Sequence, residues 1–173
     1  LQGCPVGCAW CDTKHTWEVD PEQLKPLDQV MAEKSESASW FDASLSSLLD
    51  LFSQQDYAAK NIILTGGEPC LYDLTALTTG LIDNGYSVQI ETSGTFEIKA
   101  HTDTWVTVSP KVNMKGGYTV LKSAMLRANE IKHPVAMQKH IDELDSLLGL
   151  IEGENTPIIY LQHISQQKRA TQR

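Results

Sequence analysis

Apolar residues recur along this chain in short blocks whose period switches between that of a helix and that of a strand. Leu45, Leu48, Leu49 and Phe52 follow the i, i+3, i+4, i+7 spacing that lays one stripe along a helix, and the run Ile62 to Thr65 then reads as a short buried strand. Asp73 can cap a helix that turns Leu74, Leu77, Leu81 and Ile82 inward and stops at Asn84 and Gly85. Strands are predicted at 88–91, 106–109, 130–132 and 158–162. Between the later strands fall two more helical stripes, Leu121, Ala124, Met125 and Ala128, then Ile141, Leu144, Leu148 and Ile151. Strands alternating with helices predict an α/β fold with a mainly parallel sheet covered by helices. Residues 18–42 break the pattern: Pro21, Pro26, several charges and the serines between Ser35 and Ser39 predict a surface insertion in an otherwise single domain spanning 1–173. Leu1 is not a start residue and Leu1-Gln2-Gly3 reads as the tail of a strand, so the beginning of the chain is expected to be cut.

Composition narrows the function classes. The chain has 173 residues, 41% hydrophobic and 21% charged, which is ordinary globular usage with enough length for one core. Fourteen lysines and arginines against 22 acidic residues give a net charge of -8, a balance that repels nucleic acid and anionic membranes and favours a small-molecule substrate. No apolar run approaches a membrane span and no signal peptide is visible. Thiols clustered as ligands rather than paired in a disulfide framework predict a reducing, cytoplasmic location.

The candidate chemistry begins at those thiols. Cys4, Cys8 and Cys11 stand at C-x3-C-x2-C spacing in Cys-Pro-Val-Gly-Cys-Ala-Trp-Cys, with no fourth cysteine nearby. Soft thiolates suit iron-sulfur clusters or zinc, and a structural zinc site normally closes with four protein ligands. A cluster on three thiolates leaves one iron open. Pro5 and Gly7 let the loop fold back, and Trp10 is placed to shield a cluster and adjust its dielectric. The plainer readings are a zinc knuckle completed by His15, or buried cysteines with no metal. Downstream, Thr65-Gly66-Gly67-Glu68-Pro69 closes the strand at 62–65: paired glycines admit close approach to the backbone, and Glu68 offers an acceptor suited to an ammonium group. Alone, that segment is equally an ordinary turn.

Together these motifs resemble the radical S-adenosylmethionine (SAM) enzymes. The further segments Cys11-Asp12-Thr13, Glu91-Thr92-Ser93-Gly94-Thr95, Trp105 to Lys111 and Gln162-His163-Ile164-Ser165 resemble, nearly end to end, the 7-carboxy-7-deazaguanine synthase family within that group. The resemblance implies a pared-down, partial (β/α)6 barrel. It implies a [4Fe-4S] cluster on Cys4, Cys8 and Cys11, and SAM contacts at Trp10, Cys11, Asp12, Gly66, Gly67, Glu68, Ser109, Pro110 and Lys111. It also implies Mg2+ on Thr13, otherwise a turn residue, and substrate contacts at Thr65 and Glu91. The implied reaction is a Mg-dependent radical ring contraction of 6-carboxy-5,6,7,8-tetrahydropterin to 7-carboxy-7-deazaguanine with loss of ammonia, in queuosine and deazapurine biosynthesis. A flavodoxin-type reductant and a homodimer are implied partners. His163 stands where that family has proline, and the family's substrate-contacting segments before Leu1 and after Arg173 are not in this sequence. Cys70, Trp17, Trp40 and Trp105 read as packing residues, and Lys111 as a partner for a SAM carboxylate or a strand cap. Two alternatives stay open: a glycyl-radical activating enzyme, and a non-enzymatic zinc or electron-transfer module.

Overall fold

The computed structural model describes residues 1–55 and 57–163. Five strands, β1 (Asn61–Leu64), β2 (Ser87–Thr92), β3 (Trp105–Val108), β4 (Glu130–Val135) and β5 (Ile158–His163), form one sheet in the order β1-β2-β3-β4-β5. Every neighbouring pair is parallel. Sequential, all-parallel order is how the wall of a β/α barrel is built.

The helices are α1 (Leu27–Ala32), α2 (Leu45–Gln54), α3 (Thr75–Asp83), α4 (Lys122–Arg127) and α5 (Gln138–Gly149). Three of them, α3, α4 and α5, make the β1–β2, β3–β4 and β4–β5 crossovers, while β2 reaches β3 through a loop with no helix. The expected paring-down is therefore located between β2 and β3. Val106, Val108, Met125, Ala128, Ile131, Leu144 and Ile151 form the main buried cluster between sheet and helices, and Ile90, Leu74 and Cys70 form a second. Because side chains alternate across a strand, the other face of the sheet carries Ser87, Gln89 and Glu91 from β2, Thr107 from β3, and Glu130 and Lys132 from β4. That face is mixed, because Ile63, Trp105 and Tyr160 share it with these polar side chains.

Most predicted elements lie within a few residues of those observed. Asp73 does act at the start of α3, its Oδ1 accepting from Thr75 N at 3.0 Å, although Leu74 is the capping residue by position. Strand β4 continues through Pro134, three residues beyond the prediction. Proline has no N–H for a ladder, but β3 has already ended opposite Ile131, so no bond on that side is lost. Within 18–42, α1 forms, and a parallel bridge between Leu24 and Trp40 closes the segment on itself. Trp40 secures it further by donating its indole N–H to the carbonyl of Asp20 at 2.9 Å. No helix among the described residues is long and apolar enough to cross a membrane.

Candidate active site

The site is assembled at the carboxyl ends of β1, β2 and β3. The residues after β1 bond directly to the start of the cysteine loop: Gly67 N donates to Leu1 O at 2.8 Å and Glu68 N to Gly3 O at 2.7 Å. Gly66 has φ +115°, and a Cβ on it would strike the Leu1 backbone; one on Gly67 would strike the Gly3 carbonyl. On the Cβ side, the space freed by the paired glycines is taken by the chain entering the cysteine loop. Gly3 N and Cys4 N in turn donate to Thr16 O and Trp17 O at 2.7 and 2.9 Å. The loop is held on both flanks.

Within the loop, Gly7 adopts φ +71°, a conformation open to glycine and costly for other residues, so the fold-back anticipated from Pro5 and Gly7 is present. Val6 is buried, and its carbonyl accepts from Gly116 N at 3.0 Å. All three thiols are free; Cys8 is buried, and Cys4 and Cys11 are half-buried. Burial pushes the Cys4 and Cys8 thiols up from their ordinary pKa, so their thiolates need compensating positive charge. One such charge is Lys111, whose ammonium lies close enough to Cys8, Glu68, Cys11 and Cys4 to feel all of them. Its Nζ donates to Ser109 O at 2.8 Å and Ser109 Oγ at 2.6 Å, and burial pulls its pKa down. No carboxylate among the described residues pairs with it at ion-pair distance.

This donor set fits an iron-sulfur cluster. Among the described residues no three His, Cys, Asp or Glu side chains converge on the position of a single metal ion, and His15, the proposed fourth zinc ligand, faces Glu36 at 3.9 Å. A cubane takes each thiolate on a different iron and needs no such convergence. Three soft donors beside a buried cation match a group that is net anionic once its thiolates are counted. Sequence reasoning treated Trp17 as packing alone, yet its indole N–H donates to Cys11 Sγ at 3.3 Å. Hydrogen bonds to cluster sulfurs tune potential, so Trp17 is placed to act on a cluster that Cys11 would hold. Unlike Trp10, Trp17 does not adjoin a cysteine in sequence; a single helical turn at Lys14–Thr16 brings it back to the loop.

Glu68 is 2% exposed. Its Oε1 accepts from Cys70 N at 3.0 Å and Thr92 Oγ1 at 2.6 Å, and its Oε2 from Ser93 N at 2.8 Å. The side chain thus clamps the turn after β1 to the turn after β2. Ser109 N donates to Thr92 O at 2.7 Å and Lys111 N to Ser93 O at 3.3 Å, which extends the clamp to β3. Cys70 packs in the core beside it, its pKa pushed up to about 12 chiefly by burial. Trp10 and Pro110 line a common cleft of about 150 Å³ with Met114, His133 and Pro134, while Asp12 is exposed. Thr13 Oγ1 lies 3.5 Å from Cys11 Sγ. Thr65 follows the Leu64–Ile90 pair and so comes level with Glu91, whose Oε1 accepts from Lys132 Nζ at 2.8 Å. Lys132 carried no sequence signal. A larger cavity of about 600 Å³, lined by Asn61, Ser87, Trp105 and Glu130 among others, sits at the opposite, amino ends of the strands and away from this chemistry. Ser165 lies outside the described residues.

Comparison with known proteins agrees with this construction. No protein-family model matches the chain. A 7-carboxy-7-deazaguanine synthase from Escherichia coli K12 is 53% identical over 171 residues, 99% of this chain and 77% of that protein. One from Buchnera aphidicola is 41% identical over 170 residues, 98% of this chain and 76% of that protein. The crystal structure of QueE from Escherichia coli superposes with a TM-score of 0.95 at 52% identity, covering 99% of this chain and 75% of that one. On that identity and coverage, the chain belongs to the 7-carboxy-7-deazaguanine synthase family of α/β radical SAM barrel enzymes.

Proposed function

We propose that the chain performs the radical ring contraction of 6-carboxy-5,6,7,8-tetrahydropterin to 7-carboxy-7-deazaguanine, releasing ammonia. The observation that carries this reading is the direct backbone joining of the three-cysteine loop to Gly67 and Glu68, with the Lys111 ammonium beside the thiols. When bound, the cluster and SAM supply the radical chemistry. The chain's own residues then do the work of binding and exclusion. Cys4, Cys8 and Cys11 hold the cluster, Trp17 and Lys111 stabilise the charge on its ligands, and Trp10, Cys11, Asp12, Gly66, Gly67, Glu68 and Ser109 to Lys111 form the SAM side. The Glu68 clamp fixes the mutual distance of these turns. Thr13 offers a hard hydroxyl oxygen for Mg2+ at the substrate side, a donor that suits that ion. Thr65 and Glu91 meet the pterin, with the Glu91 carboxylate accepting from ring N–H groups.

The chain works as one domain with 18–42 as a surface insertion, in the cytoplasm, as a homodimer served by a flavodoxin-type reductant. The net charge of -8 fits a small-molecule substrate and not nucleic acid. The test is anaerobic turnover of carboxytetrahydropterin by the iron-reconstituted protein, with and without Mg2+. A product lighter by the elements of ammonia, formed without net SAM consumption, is expected. Stoichiometric SAM consumption with no pterin product would favour a glycyl-radical activating role instead, and stoichiometric zinc without iron a binding module.

A further inference from the structure

The mixed face of the sheet carries two separate cross-strand pairs of polar side chains. Gln89 Nε2 donates to Thr107 Oγ1 at 3.0 Å, and Lys132 Nζ donates to Glu91 Oε1 at 2.8 Å. The register explains how two strands that are not neighbours can share an ion pair. Glu91 pairs across with Thr107, Thr107 with Glu130, and Lys132 stands two residues past Glu130, one step nearer the carboxyl ends. The pair therefore passes over β3 at Thr107, a side chain short enough to lie beneath it. Both partners remain about a third exposed, at 34% for Glu91 and 30% for Lys132, on the face where Thr65 and the cysteine loop converge. Ion pairs this exposed add little to fold stability, so the value of this one is in what it holds in place.

We infer that Lys132 is a positioning residue for the pterin, acting through Glu91. This rests on the proposed placement of the pterin at Glu91. A carboxylate that is to accept from ring N–H groups must keep one oxygen in a fixed direction; with Oε1 held by Lys132, Oε2 is the oxygen presented. The substrate also carries a carboxylate of its own. A bare Glu91 would repel it, and the adjacent ammonium brings the local charge to near zero, so a neutral ring face and an anionic tail can dock together. Lysine suits this role because its point charge reaches across a strand on a long stem, where a shorter side chain would end above Thr107.

The test uses the cluster-loaded protein and three variants, Lys132→Met, Lys132→Arg and Glu91→Gln. Binding of 6-carboxypterin, a fluorescent and unreactive relative of the substrate, is read by fluorescence, SAM binding by the change in the cluster spectrum, and turnover as KM and kcat separately. Lys132→Met is expected to weaken pterin binding about tenfold, the worth of one charge-assisted hydrogen bond, with the loss falling on KM and SAM affinity unchanged. Lys132→Arg keeps charge and donors and should recover most of the loss. Lys132→Met binding pterin like the parent, while Glu91→Gln binds it poorly, would overturn the inference and leave the pterin at Glu91. Unaltered pterin binding in Glu91→Gln would overturn both. Equal loss of SAM and pterin binding in Lys132→Met would also overturn it, since that outcome marks a structural role.

Discussion

Replacing Glu68 by glutamine changes one atom type in a buried clamp and leaves shape almost untouched, so its cost can be worked from the hydrogen bonds alone. The carboxylate accepts three: from Cys70 N and Thr92 Oγ1 on one oxygen and from Ser93 N on the other. A glutamine has one acceptor oxygen and an NH2 that only donates. If its oxygen takes the Oε1 place, the NH2 faces the Ser93 N–H; if it takes the Oε2 place, the NH2 faces the Cys70 N–H, while Thr92 can turn its hydroxyl to accept. Either way one charged hydrogen bond is lost and one buried backbone donor is left facing another donor. At about 1.5–3 kcal/mol for the bond, and with the orphaned donor included, the expected destabilisation is roughly 2–4 kcal/mol. For a chain of this length that lowers Tm by roughly 5–15 °C. The assay is urea and thermal unfolding of the cluster-loaded protein under anaerobic conditions. Thr92→Val removes one partner of the same clamp, so the double variant should cost less than the sum of the two single changes. A Glu68→Gln variant whose stability matches the parent, or strict additivity with Thr92→Val, would refute the clamp.

Other expectations follow from the same geometry. Gly67→Ala sets a Cβ against the Gly3 carbonyl and should cost about 1–3 kcal/mol while lowering iron content per chain, measured by unfolding and metal analysis. Full iron loading at parental stability would mean that the cysteine loop does not depend on that contact. Trp17→Phe removes the N–H donor to Cys11 Sγ and should shift the cluster's reduction potential downward, read by spectroelectrochemistry; an unchanged potential would leave Trp17 as packing only. His133 is buried, its Nε2 bonded to His140 O at 2.7 Å and its Nδ1 without a partner, and burial pulls its pKa below the ordinary value. Between its lowered folded pKa and its ordinary unfolded one the unfolded chain binds more protons. Its contribution to stability is therefore complete above the unfolded value and falls away as pH drops toward the folded one. His133→Asn should flatten the decline in unfolding free energy between about pH 7 and pH 5 relative to the parent. A variant that declines as steeply as the parent would contradict this.

Much of this molecule can be read from the chain because its signals are local. The stripe at Leu45 to Phe52, the cap at Asp73 with its stop at Asn84-Gly85, and the short apolar strands each depend on neighbours in sequence, and all appear in the structure near where they are expected. The cysteine spacing and the Gly-Gly-Glu run are local too, which is why they suffice to show the family resemblance before any geometry. What escaped reading depends on partners far along the chain. The clamping role of Glu68 rests on Thr92 and Ser93, 24 and 25 residues later. The need for glycine at 66 and 67 is set in part by the Leu1–Gly3 backbone, more than 60 residues away. Lys132 is an ordinary strand lysine unless the 41-residue reach to Glu91 is known. Trp17 reaches Cys11 only through the turn at Lys14–Thr16. Polar side chains that act across strands carry no period, and periodicity is what a single sequence offers.

The central claim is that the three-thiol loop, joined to the turn after β1, presents a cluster with one iron open to SAM. Hyperfine spectroscopy of the reduced, reconstituted protein mixed with SAM labelled at its amino nitrogen and carboxylate oxygens tests this most directly. Coupling of both labels to the cluster is predicted, and it should vanish in Cys8→Ala. A full complement of cluster iron with no coupling to either label at saturating SAM would contradict it.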